Sequence, residues 1–449
     1  MSDPRDVVIV EGVRTPFAKA GTKLKSVHAA ELGRVAVREL IDKTELNVDE
    51  IDEVIIGNTG NPPDAVNISR VVALRSGVPL EVPAHTVHRN CASALESIST
   101  GFDKIKAGMA DIVIAGGTEN MSQMPMIYPQ KFVEKFEALS RAKTPGAQIS
   151  GMMGLMGAGL TQIKEMATTA PMAKTPFKPV ISIMEGLTDP FRGINMGQTA
   201  EVLAKEFGIS REEQDQFALE SHNKALAAQK NGNLADEIHP VFVPPKFKDI
   251  VEQDVGPREG QNLESLAKLR PFFDRKYGTI TVGNACPITD GAASVLLMSR
   301  EKAQSLGYKP LVSIKSYGFA GLEPERMGLG PVMATPRALE RTGLTLKDMG
   351  LVELNEAFAA QVLACKKAFE SKEFAEQRFG KAEAIGELNI DTLNVNGGAI
   401  ALGHPVGATG TRLVLTLMKE MMRRDVEFGL ATLCIGGGQG GAMVLKKEA

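Results

Sequence analysis

The sequence predicts an α/β fold made of two similar halves. Three observations predict it. Apolar, β-branched runs alternate with segments of helical spacing, as when Val7-Val8-Ile9-Val10 precedes His28 to Leu40. Asp111 to Gly117 shows a second such run, ending in Gly116-Gly117. Three landmarks then recur in the same order, each displaced by about 300 residues. Leu346 to Asn355 repeats the turn and strand of Val48 to Asn58. Thr392 to Gly398 mirrors Thr86 to His88 before a helix. Leu430 to Gly438 mirrors Ile112 to Gly117. The displacement lies far outside the ~20–50-residue period of solenoids, so a duplicated domain is expected, its halves face to face and a site where their loops meet. Ordinary α/β regularity is the competing account of the same pattern.

The elements follow in order. Val7 to Glu11 reads as a buried strand, closed by the loop Arg14-Thr15-Pro16-Phe17. His28 to Leu40 has helical spacing, with Leu32, Val35, Ala36, Val37 and Leu40 on one side. Val48 to Asn58 reads as turn, strand, turn, and Asn67 to Ser76 as a helix. Pro83 to Val87 is extended, and a helix runs from Cys91 to about Gly108. Between Glu119 and Tyr277 the composition changes. Ten of the 20 Met fall between Met121 and Met196, and Gly151 to Gly157 looks soft and weakly specified. Within this excursion Thr199 to Phe207 and Ser210 to Gln229 are helical, the latter opened by the capping box Ser210-Arg211-Glu212-Glu213. The expected division is an N-terminal half at 1–118 plus 278–307, an inserted loop domain at 119–277 and a C-terminal half at 308–449. Met-rich loops suit contact with flexible apolar chains; a subunit or domain contact and a lipid interface are the other readings.

Composition narrows the function. Lys and Arg (51) nearly balance Asp and Glu (54), Trp is absent and Tyr is rare, so no nucleic-acid footprint is present. The four cysteines lie far apart without a CxxC pair, which argues against a disulfide framework or a zinc site and for free thiols in a reducing compartment. No metal is expected. The N-terminal residues lack the basic and apolar regions of a signal peptide, and the uncharged run Thr144 to Ile163 carries Pro, several Gly, Gln and Ser. The expectation is a cytoplasmic protein without an integral membrane span.

Four positions can carry chemistry. Cys91 sits where an extended run gives way to a helix, and a helix N-terminus favours the thiolate. A small buried hydrophobe is the plain alternative. Asn355 follows a strand directly, where α/β sites form. Gly397 to Gly410 is a glycine-rich loop with one histidine, His404, and no phosphate-binding fingerprint. Cys434 ends a strand and precedes Gly436-Gly437-Gly438, where backbone N–H groups can approach an oxyanion closely. If the halves are duplicates, these ends converge. One thiolate attacks, the imidazole takes its proton, and the second sulfur moves a proton to or from carbon.

The chain resembles the thiolase family over nearly its whole length. The matching stretches are Gly12 to Phe17, Val87 to Glu96, Met196 to Glu201, Lys268 to Pro271 and Asp290 to Ala293. Asn355-Glu356-Ala357-Phe358, Gly397 to Gly410 and Cys434 to Gly438 complete them. Phe374 to Gly380 and the Met-rich insertion are similar to the trifunctional-enzyme β-subunit branch. The resemblance implies a five-layered αβαβα arrangement with an inserted loop domain. It implies a 3-ketoacyl-CoA thiolase of fatty-acid β-oxidation, an acyltransferase working by a ping-pong cycle. Cys91 would be the acylated nucleophile, activated by His404, and Cys434 the acid/base at the α-carbon. One oxyanion hole would use His404 and a water on Asn355; the other, the N–H groups of Cys91 and Gly436. Coenzyme A would be a co-substrate along Met196, Arg258, Ser265, Phe273, Val282, Cys286 and Phe358, with no permanently bound cofactor. A homodimer or homotetramer is implied, with room for a hydratase/dehydrogenase partner subunit. An acetoacetyl-CoA thiolase run in the condensing direction is the alternative, and an acyl-CoA or lipid carrier the non-enzymatic one.

Three positions depart from the family pattern. Asn355 stands where the trifunctional branch usually has His, Asn195 where the acetoacetyl-CoA enzymes have His, and Cys286-Pro287 where Ser-Gly is usual. Cys286 reads as a passive substitute rather than a third catalytic thiol.

Overall fold

The computed structural model describes residues 3–166 and 179–448. The chain forms two compact units, Met1–Gln123 with Asp189–Ala449, and Met124–Thr188. In the larger unit the first apolar run becomes β1 (Val7–Arg14), followed by the short β2 (Ala18–Lys19). His28 opens α1 (Ala29–Thr44) by accepting the Ala30 N–H, and Asn67 opens α2 (Ile68–Arg75) by accepting that of Arg70. Between them lies β3 (Glu53–Gly57). Then come β4 (Ala84–Val87), α3 (Ser93–Lys106) and β5 (Ile112–Asn120).

The smaller unit holds β6 (Met126–Ile127), α4 (Gln130–Ser140), α5 (Pro145–Met166), β7 (Val180–Ile181) and α6 (Ser182–Gly186), with β6 and β7 paired antiparallel. Here the soft reading of Gly151 to Gly157 is corrected: the stretch lies inside helix α5. Its only Pro occupies the first helical position, and its Met, Leu, Ala and Gln residues are good helix formers. The part of the excursion at 167–178 lies outside the described residues.

The chain returns to the larger unit with α7 (Met196–Glu206) and α8 (Arg211–Lys230), each opened by a capping box. A small hairpin, β8 (Val241–Val243) and β9 (Asp249–Val251), and α9 (Leu263–Ala267) follow. β10 (Thr289–Ser299), α10 (Arg300–Ser305), β11 (Val312–Gly321) and α11 (Gly330–Glu340) come next. The last third carries β12 (Leu351–Leu354), α12 (Ala359–Glu370), α13 (Lys372–Phe379), α14 (Ala399–Leu402), α15 (Thr409–Arg424), β13 (Phe428–Ile435) and β14 (Gln439–Lys447).

The strand pairing displays the duplication. In the first half β4 and β5 flank β3 in parallel, and β10 then β1 continue antiparallel. In the second half β12 and β13 are parallel, and β14 then β11 continue antiparallel. A single parallel bridge from Val352 to Leu393 occupies the place β4 holds in the first half. The halves join where β1 meets β11, through Val8 opposite Ser313 and Ile9 opposite Val312.

Side-chain alternation sets the layers. Successive strand residues point to opposite faces. Val113 and Ala115 of β5 face one cluster, together with Leu433 and Ile435 of β13, Leu95 and Ile98 of α3, and Leu413 and Leu417 of α15. Ile112 and Ile114 face the other way, onto Val37 and Leu40 of α1 and Val72 of α2. In the second half Val352, Leu354 and Leu430 pack on α11 and α12 through Val332 and Val362. The order is therefore helices, strands, the pair α3 and α15, strands, helices: the five layers expected. Strands covered on both faces need unbroken apolar runs, which is why they read that way in the sequence.

Among the described residues no helix is long and apolar enough to cross a membrane. Leu413 is fully buried in the middle layer. Leu413→Ala is expected to cost about 2–5 kcal/mol by opening a cavity both halves share. Thermal melting checks this; an unchanged midpoint would show that the central helices do not hold the halves together.

Candidate active site

Cys91 follows β4 through the turn His88-Arg89-Asn90. Asn90 adopts φ +46°, a left-handed conformation that Asn tolerates better than most residues. The Ser93 hydroxyl ties the turn, donating to Asn90 O (2.7 Å) and accepting from Arg89 N (2.9 Å). Arg89 is anchored on Glu96 (2.6 Å) with its guanidinium over the Phe319 ring. Asn90 Nδ2 donates to Gly436 O at 2.8 Å, so the Cys91 turn of one half is stitched to the glycine turn of the other. The backbone N–H groups of Gly436 and of Cys91 itself lie near the Cys91 sulfur and favour its charged form.

The expected resting thiolate is corrected here. Burial pushes the Cys91 thiol up, and those N–H donors offset the shift only in part. The helix N-terminus is present, but desolvation outweighs it and the net shift favours the thiol.

His404 lies between α14 and α15. The loop is held at both ends by buried carboxylates. Glu356 Oε2 accepts the Ile400 N–H (3.2 Å), and Glu119 Oε2 accepts the Gly407 N–H (3.0 Å). Glu356 also takes Ser221 Oγ (2.6 Å) and Asn394 Nδ2 (2.9 Å); Glu119 also takes Asn58 Nδ2, Gly60 N and Thr59. Gly403, at φ +106°, lets the backbone turn against Thr289, whose hydroxyl accepts the His404 N–H at 3.1 Å. The His404 ring is buried. Nδ1 lies 2.6 Å from Thr409 Oγ1, and Nε2 has no hydrogen-bond partner among the described residues. Burial, and then the nearby Arg412, lower its pKa to about 3, so the ring is neutral at pH 7.

α15 begins against the start of α3. A Cβ at Gly410 would meet Leu95 N at 2.3 Å, and Thr411 Oγ1 donates to Ala94 O (3.2 Å). Only glycine permits that approach, which sets the His404 loop over the Cys91 end of α3. Asn355, at the tip of β12, is fully buried with its N–H on Thr432 O (3.0 Å). Both polar atoms of its side chain lack a protein partner among the described residues, as a water-holding amide would. Cys434, near the end of β13, is also fully buried. Burial first, then the neighbouring Cys91, Cys365 and Cys286, raise its thiol pKa well above the ordinary value. It is therefore a proton carrier at rest.

Of the residues expected along coenzyme A, Met196, Phe273, Cys286 and Phe358 share an apolar cluster with Cys434. Phe273 and Phe358 meet edge to face at 5.8 Å. Cys286 N donates to Ala357 O (3.1 Å), and burial pushes its thiol up to about 12. Arg258, Ser265 and Val282 stand exposed outside that cluster. Asn195 is engaged in capping α7, accepting the Gln198 N–H at 3.0 Å. Sequence reasoning assigned no role to Glu119, Glu356 or Thr409. The available signal was their position: carboxylates at or just beyond strand ends, and a hydroxyl five residues after the lone loop histidine. Among the described residues no group of His, Cys, Asp and Glu could hold a metal ion.

The duplicated architecture, with Cys91, Asn355, His404 and Cys434 at the ends of its elements, is that of an acyl-transfer enzyme. Residues 7–301 match the family model for the thiolase N-terminal domain, and 308–447 that for the C-terminal domain. The chain is 39% identical over 441 residues to a 3-ketoacyl-CoA thiolase of Pseudoalteromonas translucida, covering 98% of this chain and 96% of the relative. It is 41% identical over 443 residues to that of Shewanella pealeana, with 98% and 97% covered. Human mitochondrial 3-ketoacyl-CoA thiolase, also solved in complex with CoA, superposes with a TM-score of 0.82 at 35% identity. Coverage is 100% of both chains for the first of those structures and 99% of both for the complex. A Bacillus anthracis acetyl-CoA acetyltransferase gives the same score at 34% identity, with 99% of both chains covered. The chain belongs to the thiolase family.

A folded pKa of about 3 against the ordinary 6.5 has a stability consequence. His404 contributes stability that is fully present above pH 6.5 and is lost as pH falls toward 3. Unfolding midpoints measured from pH 7 down to 4 should therefore fall less steeply in His404→Gln than in the parent. Parallel curves would show that the ring is not held neutral by burial.

Proposed function

We propose that this thiolase is a 3-ketoacyl-CoA thiolase that cleaves 3-ketoacyl-CoA with coenzyme A, through an acyl group on Cys91. The observation that carries the reading is the unpartnered His404 Nε2, buried in a loop set over the Cys91 end of α3. His404 Nε2 takes the Cys91 proton, and the sulfur attacks the 3-keto carbon. The oxyanion faces the N–H groups of Cys91 and Gly436, while His404 and a water on Asn355 meet the thioester oxygen of the departing acetyl-CoA enolate. Collapse breaks the C2–C3 bond, and C2 takes the Cys434 proton, releasing acetyl-CoA. Coenzyme A then gives its thiol proton to Cys434 and attacks the thioester. That oxyanion faces the N–H groups of Cys91 and Gly436, and Cys91 leaves, taking its proton back from His404. Keeping both sulfurs protonated at rest suits this cycle, because each proton is moved only when substrate is present.

Coenzyme A runs past Met196, Phe273, Cys286 and Phe358, with Arg258, Ser265 and Val282 at the outer end. It is a co-substrate, not a resident cofactor. The engagement of Asn195 in a helix cap favours this reading over an acetoacetyl-CoA enzyme. The chain acts in the cytoplasm as a homodimer or homotetramer, and the unit at Met124–Thr188 is where a hydratase/dehydrogenase partner of the trifunctional kind would dock. The proposed division remains two halves, 1–118 with 278–307 and 308–449, around an insertion at 119–277.

Cys91→Ser is expected to abolish thiolysis while leaving the melting curve unchanged. Peptide mapping after incubation with an acyl-CoA should find the acyl group on Cys91. Acylation of Cys434 instead would reverse the two roles, and full activity in the variant would end the proposal. Rates across short, medium and long 3-ketoacyl-CoA then define the chain-length range.

A further inference from the structure

We propose that Thr409 is a positioning residue that fixes the tautomer of His404, so that Nε2 carries the lone pair in the resting enzyme. The inference rests on the reading of His404 as the base for Cys91. The hydrogen-bond inventory around one hydroxyl leads to it. Thr409 Oγ1 lies 2.9 Å from Pro405 O and 2.6 Å from His404 Nδ1. Pro405 O also accepts the Ala408 and Thr409 N–H groups (2.9 and 3.0 Å), but a hydroxyl proton given to Nδ1 would leave a buried Nε2–H without a partner among the described residues, so the hydroxyl proton is placed toward Pro405. Oγ1 is then an acceptor toward the ring, and Nδ1 must carry its proton. A neutral imidazole has one N–H, so Nε2 is left bare. That nitrogen is the one without a protein partner among the described residues.

The arrangement has the logic of a base oriented by a third group, with a hydroxyl where other enzymes use a carboxylate. The difference has a chemical consequence. A carboxylate would stabilise the imidazolium and raise the ring pKa; a neutral hydroxyl directs the proton without doing so. Thr409 is fully buried, in the first turn of α15, and its own donor is committed to the carbonyl four residues earlier. The charged groups near the ring are Arg412, whose Nη1 is occupied by Glu353 Oε2 at 2.7 Å, and no carboxylate hydrogen-bonds to the ring among the described residues. The direction of the proton is therefore left to Thr409.

Nitrogen-15 NMR of histidine-labelled enzyme tests the tautomer directly. The resting His404 should show a protonated Nδ1 and a bare Nε2 at pH 7. The opposite pattern in the parent protein would overturn the proposal even if His404 is the base. Thr409→Val keeps the shape and removes the acceptor. Its kcat should fall on the order of 100-fold with KM nearly unchanged, and the rate of Cys91 alkylation by iodoacetamide should fall with it. Thr409→Ser should restore all three readouts. A folded Thr409→Val enzyme with parental kcat and parental NMR pattern would also refute it. His404→Gln separates the two claims: if Cys91 alkylation is unaffected there, the base assignment fails, whatever the tautomer.

Discussion

Two buried carboxylates hold the His404 loop, and the site depends on them. Glu119 comes from β5 of the first half, and Glu356 from the end of β12 in the second. Each is almost fully buried and hydrogen-bonded by neutral donors, with the charge of Arg412 also acting on Glu356. Burial raises the pKa of both, and the donors work against that shift. An isolated buried charge would be expensive, so the donors are a condition for the loop to exist in this form. With Ile400 and Gly407 fixed, His404 has little freedom left.

The duplication supplies what a single half could not. Each half alone has one strand-to-helix turn aimed at the middle layer. Cys91 lies on one such turn and His404 on the connection into the other central helix. Close approach of α3 and α15 through Gly410 brings those ends together. Asn90 reaches across to Gly436 and closes the same seam from the other side. Cys91, half-buried at that seam, loses enough water for its thiol to be favoured over the thiolate.

A second buried network explains a motif that is chemically silent. Arg14, in the stretch Gly12 to Phe17, is fully buried and forked onto Asp254, with Glu237 on Nε. It pins the segment around 237–254 to β1. Breaking one member would leave an unpaired buried charge, the costly outcome for such clusters.

Period and punctuation alone identified most of the larger unit. The α/β class, the capping box at Ser210 and the three recurring landmarks were legible because alternation, helix spacing and end signals are local properties; the five layers were implied by the family resemblance alone. Cys91, Asn355, His404 and Cys434 were legible as candidates because each stands at a strand or helix end. What the amino-acid order could not contain was solvation. The raised thiols, the neutral imidazole and the unpartnered Asn355 amide follow from burial by residues hundreds of positions away. The grip of Glu119 and Glu356 was likewise decided by packing. Local sequence determined which groups stand at the ends of elements; only the tertiary structure, by removing water and placing donors, decided the protonation state in which they meet.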